Sequence, residues 1–442
     1  MNRIKHLLNK SFFSWLLLLT VTAAAQPKTS YLNYEFKQFN SNGIYKIEDR
    51  RIGFFLRVKN NIRESQRGTI TLELVNGMGK AIHKEDVGLF VRDLGSYLKD
   101  FNFDKSKLAP DFYTANIFIN TNITRDTLMY SFGVDPQKIP PTVNRPADFA
   151  SFWSDAKREL ANINPGFRIT KRGDKGNSRV DVYAVEFQSL DNATIRGWLS
   201  VPVSKRNFPV LYQISGYMNN LEPNLRTDLA VLSLNVRGNG NSESPYKTDY
   251  NNYLTYNLNS KNKYIYRGAY MDALRGLEFI YKNTDLRLDA SKVIIYGEGQ
   301  GATIAAAVAA MDNKVKGLIF ERPLFVDMRS QFNMWEGRPY TGWPVYVFQD
   351  YMNKYKLNKQ QFLNIFDYFD AQSFAIDIHC STLVASSLLS TYSPTQTAYN
   401  FYNQLTVINR ETYIESNGDG SMGKKYYAFQ NQWIKEVLRQ KK

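Results

Sequence analysis

A chain of 442 residues, 43% of them apolar, is too long for one ordinary core and has enough apolar side chains to build two. Its single cysteine excludes an internal disulfide, so stability has to come from burial. The formal charge of +15 is carried by scattered rather than blocked basic residues, which reads as a solvated basic surface, with an acidic polysaccharide left open as a partner.

The chain opens with "MNRIKHLLNKSFFSWLLLLTVTAAAQ". Arg3, Lys5 and Lys10 precede a short apolar run, Phe12 to Val21, and Ala23-Ala24-Ala25 supplies small residues for cleavage. Residues 1–25 are therefore expected to be a secretory signal peptide. The run is shorter than the roughly 20 residues needed to span a bilayer. The expected mature protein is exported, periplasmic or secreted, and soluble. Export argues against nucleic acid as a partner.

Residues 28–137 carry short β-branched and aromatic runs, "IGFFLRVKNN", "GTITLELVNGMGKAIHKEDVGL" and "DFYTANIFINTN", separated by turn residues. "VNGMGK" predicts a hairpin turn. Pro110 and Tyr113 in "LAPDFYTANIFI" resemble the tyrosine corner of immunoglobulin-like sandwiches. An all-β immunoglobulin-like sandwich of about seven strands is expected. Four prolines in "GVDPQKIPPTVNRPADF" mark the boundary.

Residues 138–442 predict an α/β domain. Asp148 is expected to cap a helix whose buried face is Phe149, Phe152, Trp153 and Ala156. "VDVYAVEFQS" and "TIRGWLSVPV" predict an antiparallel hairpin. "FPVLYQISGY", "LAVLSLNVRG" and "SKVIIYGEGQG" read as buried strands that alternate with helices, the pattern of a mostly parallel sheet flanked by helices.

The stretch "KVIIYGEGQGATIAAAVAA" turns sharply from strand to helix at Gly297-Glu298-Gly299-Gln300-Gly301. It does not match G-x-G-x-x-G, because Ala302 fills the last glycine position, and no Lys-Ser/Thr follows for a phosphate loop. Together with "PADFASFW", "SGYMNN", "NVRGNGNS", "YIYRGAYMDALRGLEFI" and "VKGLIFERPLFVDMR", in this order, it resembles the acetyl xylan esterase/cephalosporin C deacetylase family of α/β-hydrolases. The resemblance implies removal of acetyl groups from sugars or small molecules by a Ser-His-Asp triad without a cofactor or metal. It also implies a possible homo-oligomer.

Carried onto this sequence, the triad is missing. The serine position is Gly299, the aspartate position Ser390 and the histidine position Asp419. The backbone N–H groups of Tyr217 and Gln300 are the implied oxyanion hole. No other base is at hand. His6 leaves with the signal peptide and His83 falls in the β-region. His379, beside Cys380, starts a strand whose far end is about 17 Å away. Glu298 is placed to face the pocket. With Asp419 it makes a poor transition-metal site. Arg237, Arg267 and Asp272 are expected to form a buried network under the loops. Two readings follow: a catalytically impaired esterase-like protein that binds a carbohydrate or small acetylated ligand, and an active carbohydrate acetyl-ester hydrolase using non-standard residues.

Overall fold

The computed structural model describes residues 31–246, 248–335, 342–417 and 420–440. The expected signal peptide lies outside them. Eight strands come first: β1 (Leu32–Gln38), β2 (Ile44–Tyr45), β3 (Gly53–Asn60), β4 (Gln66–Asn76), β5 (Ala81–Val91), β6 (Ser96–Asn102), β7 (Asp111–Thr121) and β8 (Arg125–Val134). They form a three-stranded sheet, β1-β3-β6, and a five-stranded sheet, β2-β8-β7-β4-β5. Strand β3 shows why: Phe54, Leu56 and Val58 are buried, while Arg57 and Lys59, on either side of Val58, are exposed. Those three residues share one core with Ile70, Leu72, Ile117 and Phe132 of the other sheet.

The strand beyond the expected seven is β2. It has two residues, too few to show an alternating pattern, and pairs parallel to Gly133 and Val134 of β8. The expected hairpin joins β4 and β5. Tyr113 forms its corner with Ala109: its hydroxyl donates to the Ala109 carbonyl (2.9 Å) and accepts from the Ala109 N–H (2.8 Å).

The remaining strands make one nine-stranded sheet. They are β9 (Arg168–Lys171), β10 (Val180–Gln188), β11 (Thr194–Pro202), β12 (Phe208–Ile214), β13 (Ala230–Asn235), β14 (Leu288–Glu298), β15 (Gly317–Glu321), β16 (Ser381–Ser387) and β17 (Arg410–Glu415). Their order is β17-β16-β15-β14-β12-β13-β11-β10-β9. From β13 to β17 the pairing is parallel, and β9, β10 and β11 extend it antiparallel.

Nine helices are described: α1 (Phe149–Ala161), α2 (Tyr250–Thr255), α3 (Ile265–Lys282), α4 (Gln300–Met311), α5 (Met328–Trp335), α6 (Val345–Tyr355), α7 (Lys359–Phe366), α8 (Thr395–Gln404) and α9 (Lys424–Arg439). Both faces of the sheet are covered. Val210, Tyr212, Val293 and Ile295 share a core with residues of α1, α3 and α4. Their strand neighbours Leu211 and Ile294 point the other way, onto Trp433, Ile434 and Val437 of α9. Double coverage explains the unbroken apolar runs.

The β1–β8 region packs on the end of this sheet. Phe112 of β7 clusters with Leu388 and Tyr399. The Asn417 side chain accepts from the Ser131 N–H (2.6 Å) and donates to the Ser131 carbonyl (2.8 Å).

Two expectations need correction. Asp148 sits at the start of α1 but makes no capping hydrogen bond; its carboxylate is taken by Lys261 and the Tyr368 hydroxyl. The Arg237–Asp272 pair exists, but Arg267 is not part of it. Arg267 and Asp272 lie five positions apart on α3, about 140° round the helix. Arg267 therefore faces α1 and binds Glu159 through two contacts of 2.9 and 2.7 Å.

Arg237 is buried, and Asp272 holds it with both oxygens at 2.8 Å and also accepts its backbone N–H at 3.0 Å. Removing one partner of a buried pair leaves an uncompensated charge. Asp272→Asn is expected to lower the unfolding free energy by about 3–5 kcal/mol, read from urea denaturation. A loss below about 1 kcal/mol, the level of an exposed pair, would contradict this assignment.

Candidate functional site

Gly299 alone joins the end of β14 to the start of α4. Its φ of 58° and ψ of −120° lie where a residue with a side chain is strained. Its N–H donates to the Glu321 carbonyl and its carbonyl accepts from Leu324, each at 3.0 Å. The flanking glycines answer a different need. A Cβ on Gly301 would lie 2.4 Å from the Ile214 carbonyl oxygen, so only glycine lets α4 press against β12. A Cβ on Gly299 would instead meet nothing closer than the Tyr392 ring at 3.9 Å. The turn thus has the backbone and the space for a projecting side chain, and no side chain.

That space is a cavity of about 430 Å³ beyond the carboxyl ends of the strands. Gly216, Tyr217, Met218 and Asn219 line one side; Glu298, Gly299 and Gln300 line another. Tyr250 comes from α2, Trp343 from just before α6, and Thr391 and Tyr392 from the loop after β16. Trp343 packs against Tyr217 and Tyr250, with ring centres 5.2 and 5.5 Å away. The Gln300 side chain turns inward, its carbonyl accepting from the Tyr266 hydroxyl at 2.7 Å. Its backbone N–H belongs to the first residue of α4 and has no partner within the helix.

The loops of the two remaining triad positions do meet. Ser390 is half-buried, and its hydroxyl accepts from the Ser393 N–H at 3.3 Å. A Cβ on Gly420 would lie 3.5 Å from the Ser390 Cα. Asp419 itself lies outside the described residues.

Between these loops and the elbow stands a residue the sequence reading missed. Arg322 follows β15 with a φ of 40°. Its guanidinium forms an ion pair with Glu298 and donates to the Gly420 carbonyl at 3.0 Å. It lies 5.8 Å from the centre of the Tyr392 ring. One cation thus ties together the elbow and the loops after β16 and β17. Glu298 lines the cavity with Arg322 on it.

Behind Arg322, Glu321 is fully buried and accepts from the Tyr296 hydroxyl at 3.0 Å. Burial first, and the nearby Glu298 charge second, push its carboxyl up from 4.5 to about 7. Burial also raises the phenols of Tyr217 and Tyr392 above their usual 10, so neither is an activated nucleophile.

No described histidine reaches the cavity. His83 lies on β5, 3.6 Å from Glu85. His379 is exposed just before β16, at the opposite end of that strand. Cys380 is buried, which pushes its thiol up to about 12. Among the described residues, no group of three or more His, Cys, Asp or Glu side chains is placed to hold a metal ion.

Residues 137–437 match the family described as acetyl xylan esterase (AXE1). The acetyl esterase Axe7A of Xylanibacter ruminicola is 21% identical over 322 residues, which cover 70% of this chain and 71% of that protein. The acetyl xylan esterase from Paenibacillus sp. R4 superposes with a TM-score of 0.62 at 22% identity, covering 68% of this chain and 98% of that one. Acetyl xylan esterase 1 from Thermoanaerobacterium sp. JW/SL YS485 gives 0.60 at 18%, covering 68% and 97%. With the doubly covered parallel sheet and the strand–elbow–helix turn of an α/β-hydrolase already in place, the match assigns this chain to the acetyl xylan esterase family.

Proposed function

We propose that this chain is an exported, catalytically impaired member of its family that binds acetylated carbohydrate in the Gly299 cavity. The observation that carries the reading is the bare elbow: backbone and space suited to a nucleophile, with glycine at the nucleophile position. The mechanism needs a hydroxyl or thiol beside a base, and the base needs an orienting partner. Here Ser390 is engaged within its own loop, the histidine position is an aspartate in the sequence, and the two histidines of the expected mature chain lie elsewhere. What a ligand would meet is aromatic and polar: Tyr250 and Trp343 to stack on a sugar face, Asn219 and Glu298 to take hydroxyls, and the backbone N–H of Gln300 for an acetyl carbonyl.

Glu298 supports the alternative, an esterase using non-standard residues, because a carboxylate can activate water. Its ion pair with Arg322 weighs against that role, since the guanidinium already occupies the carboxylate.

For the N-terminal region we propose an immunoglobulin-like sandwich. The two-sheet core and the Tyr113 corner support it. Export rests on the leader sequence. Among the described residues, no helix is long and apolar enough to cross a membrane.

Two measurements test the reading. The purified protein should release no p-nitrophenol from p-nitrophenyl acetate above buffer, yet bind acetylated xylo-oligosaccharide in a calorimeter. Turnover that disappears in Glu298→Ala would establish the enzyme instead. Rebuilding the triad with Gly299→Ser, Ser390→Asp and Asp419→His is expected to raise ester hydrolysis on the order of a hundredfold or more. If the folded triple variant stays inert, the scaffold is not a disarmed hydrolase.

Separately, Gly299→Ala should fold, because its Cβ enters open space. It should lose about 1–3 kcal/mol to backbone strain, read from thermal unfolding. No loss at all would mean that the turn relaxes from its described φ.

A further inference from the structure

Strands β14 and β15 pair in parallel with Glu298 opposite Glu321. Arg322 lies between the two carboxyl groups. It is paired with Glu298, while its Nε stands 4.0 Å from Glu321 Oε1. Both of these facing atoms are buried and neither has a hydrogen-bond partner. Leaving a buried donor and a buried acceptor unmet is costly, and here they lie about 1 Å short of bonding each other. The guanidinium is held off by its contacts with Glu298 and the Gly420 carbonyl.

We propose that Glu321 is a positioning residue for the cavity: its proton sets whether Arg322 stays clamped on Glu298 or closes onto Glu321, and so whether the Glu298 carboxylate is free to meet a ligand. The proposal rests on the cavity being a binding site, and it adds a regulation of that site.

The groups facing Glu321 come from every element around it. Tyr296 and Glu298 belong to β14, Arg322 follows β15, Tyr392 follows β16, and Tyr426 and Tyr427 lie on α9. The tyrosines stay neutral near pH 7, because burial raises each of them. Glu321 titrates near 7. Below that pH it is neutral and, among the described residues, Glu298 is the one carboxylate competing for Arg322. Above it, Glu321 carries charge and draws Nε across the gap. Release of Glu298 is therefore expected as pH rises through 7.

Crystals of the mature protein grown near pH 5.5 and near pH 8.5 test this without a substitution. The Arg322 Nε to Glu321 Oε1 distance should shorten to about 3 Å at the higher pH, with the Glu298 contact lengthening. An unchanged arrangement at both pH values overturns the proposal. Calorimetry with acetylated xylo-oligosaccharide supplies a second arm. Affinity should change several-fold between the two pH values in the native protein and stay flat in Glu321→Gln. A pH dependence that persists in a folded Glu321→Gln variant also overturns it. Absence of any binding, with the crystallographic shift present, would count against the binding function and leave the proton-controlled contact standing.

Discussion

The start of α4 is pressed against the end of β12 so closely that no side chain fits between Gly301 and the Ile214 carbonyl. Much of the site follows from that contact. It forces the reversal at Gly299, aims the first turn of α4 at the cavity and brings the Gln300 N–H beside the loop that carries Tyr217. The same closeness is needed whether the turn presents a nucleophile or nothing, because it is a matter of backbone distance. The backbone of the elbow therefore holds its form whichever residue stands at its tip. Main-chain donors at such a turn do not depend on which side chain stands at the elbow.

Beside the elbow sits an electrostatic knot. Arg322 is surrounded by Glu298, the buried Glu321, the Gly420 carbonyl and the Tyr392 ring. Taking a guanidinium out of water is costly unless several acceptors share it. Here they come from the elbow and from the loops after β16 and β17. Those loops carry the positions that the family resemblance assigns to an orienting carboxylate and an imidazole. The cation cross-links these loops through contacts that do not require a reacting group.

The legible parts of the chain were those with a repeating signal. Buried strands announced themselves as apolar runs, α1 by the spacing of Phe149, Phe152, Trp153 and Ala156, and the elbow by its glycines. Strand β2 was not legible, because two residues cannot alternate. Nor was Arg322: it is a single loop residue whose partners lie 24 and 98 positions away. The Asp148 error has the same root. Its local sequence fits a cap, but a lysine and a tyrosine more than 100 positions away claim the carboxylate. Arg267 could have been placed from helix geometry alone, since five residues do not bring two side chains onto one face. Of two tyrosines on α2, Tyr250 lines the cavity while Tyr253 is buried.

The amide of Asn417 bonds to both the N–H and the carbonyl of Ser131, as one more rung on the edge of β8 would. Leu388, at the other loop of the site, rests on Phe112 of β7. The loops after β16 and β17 are thus braced from outside the nine-stranded sheet, so damage to β7 or β8 would be felt at a cavity to whose lining, among the described residues, neither strand contributes.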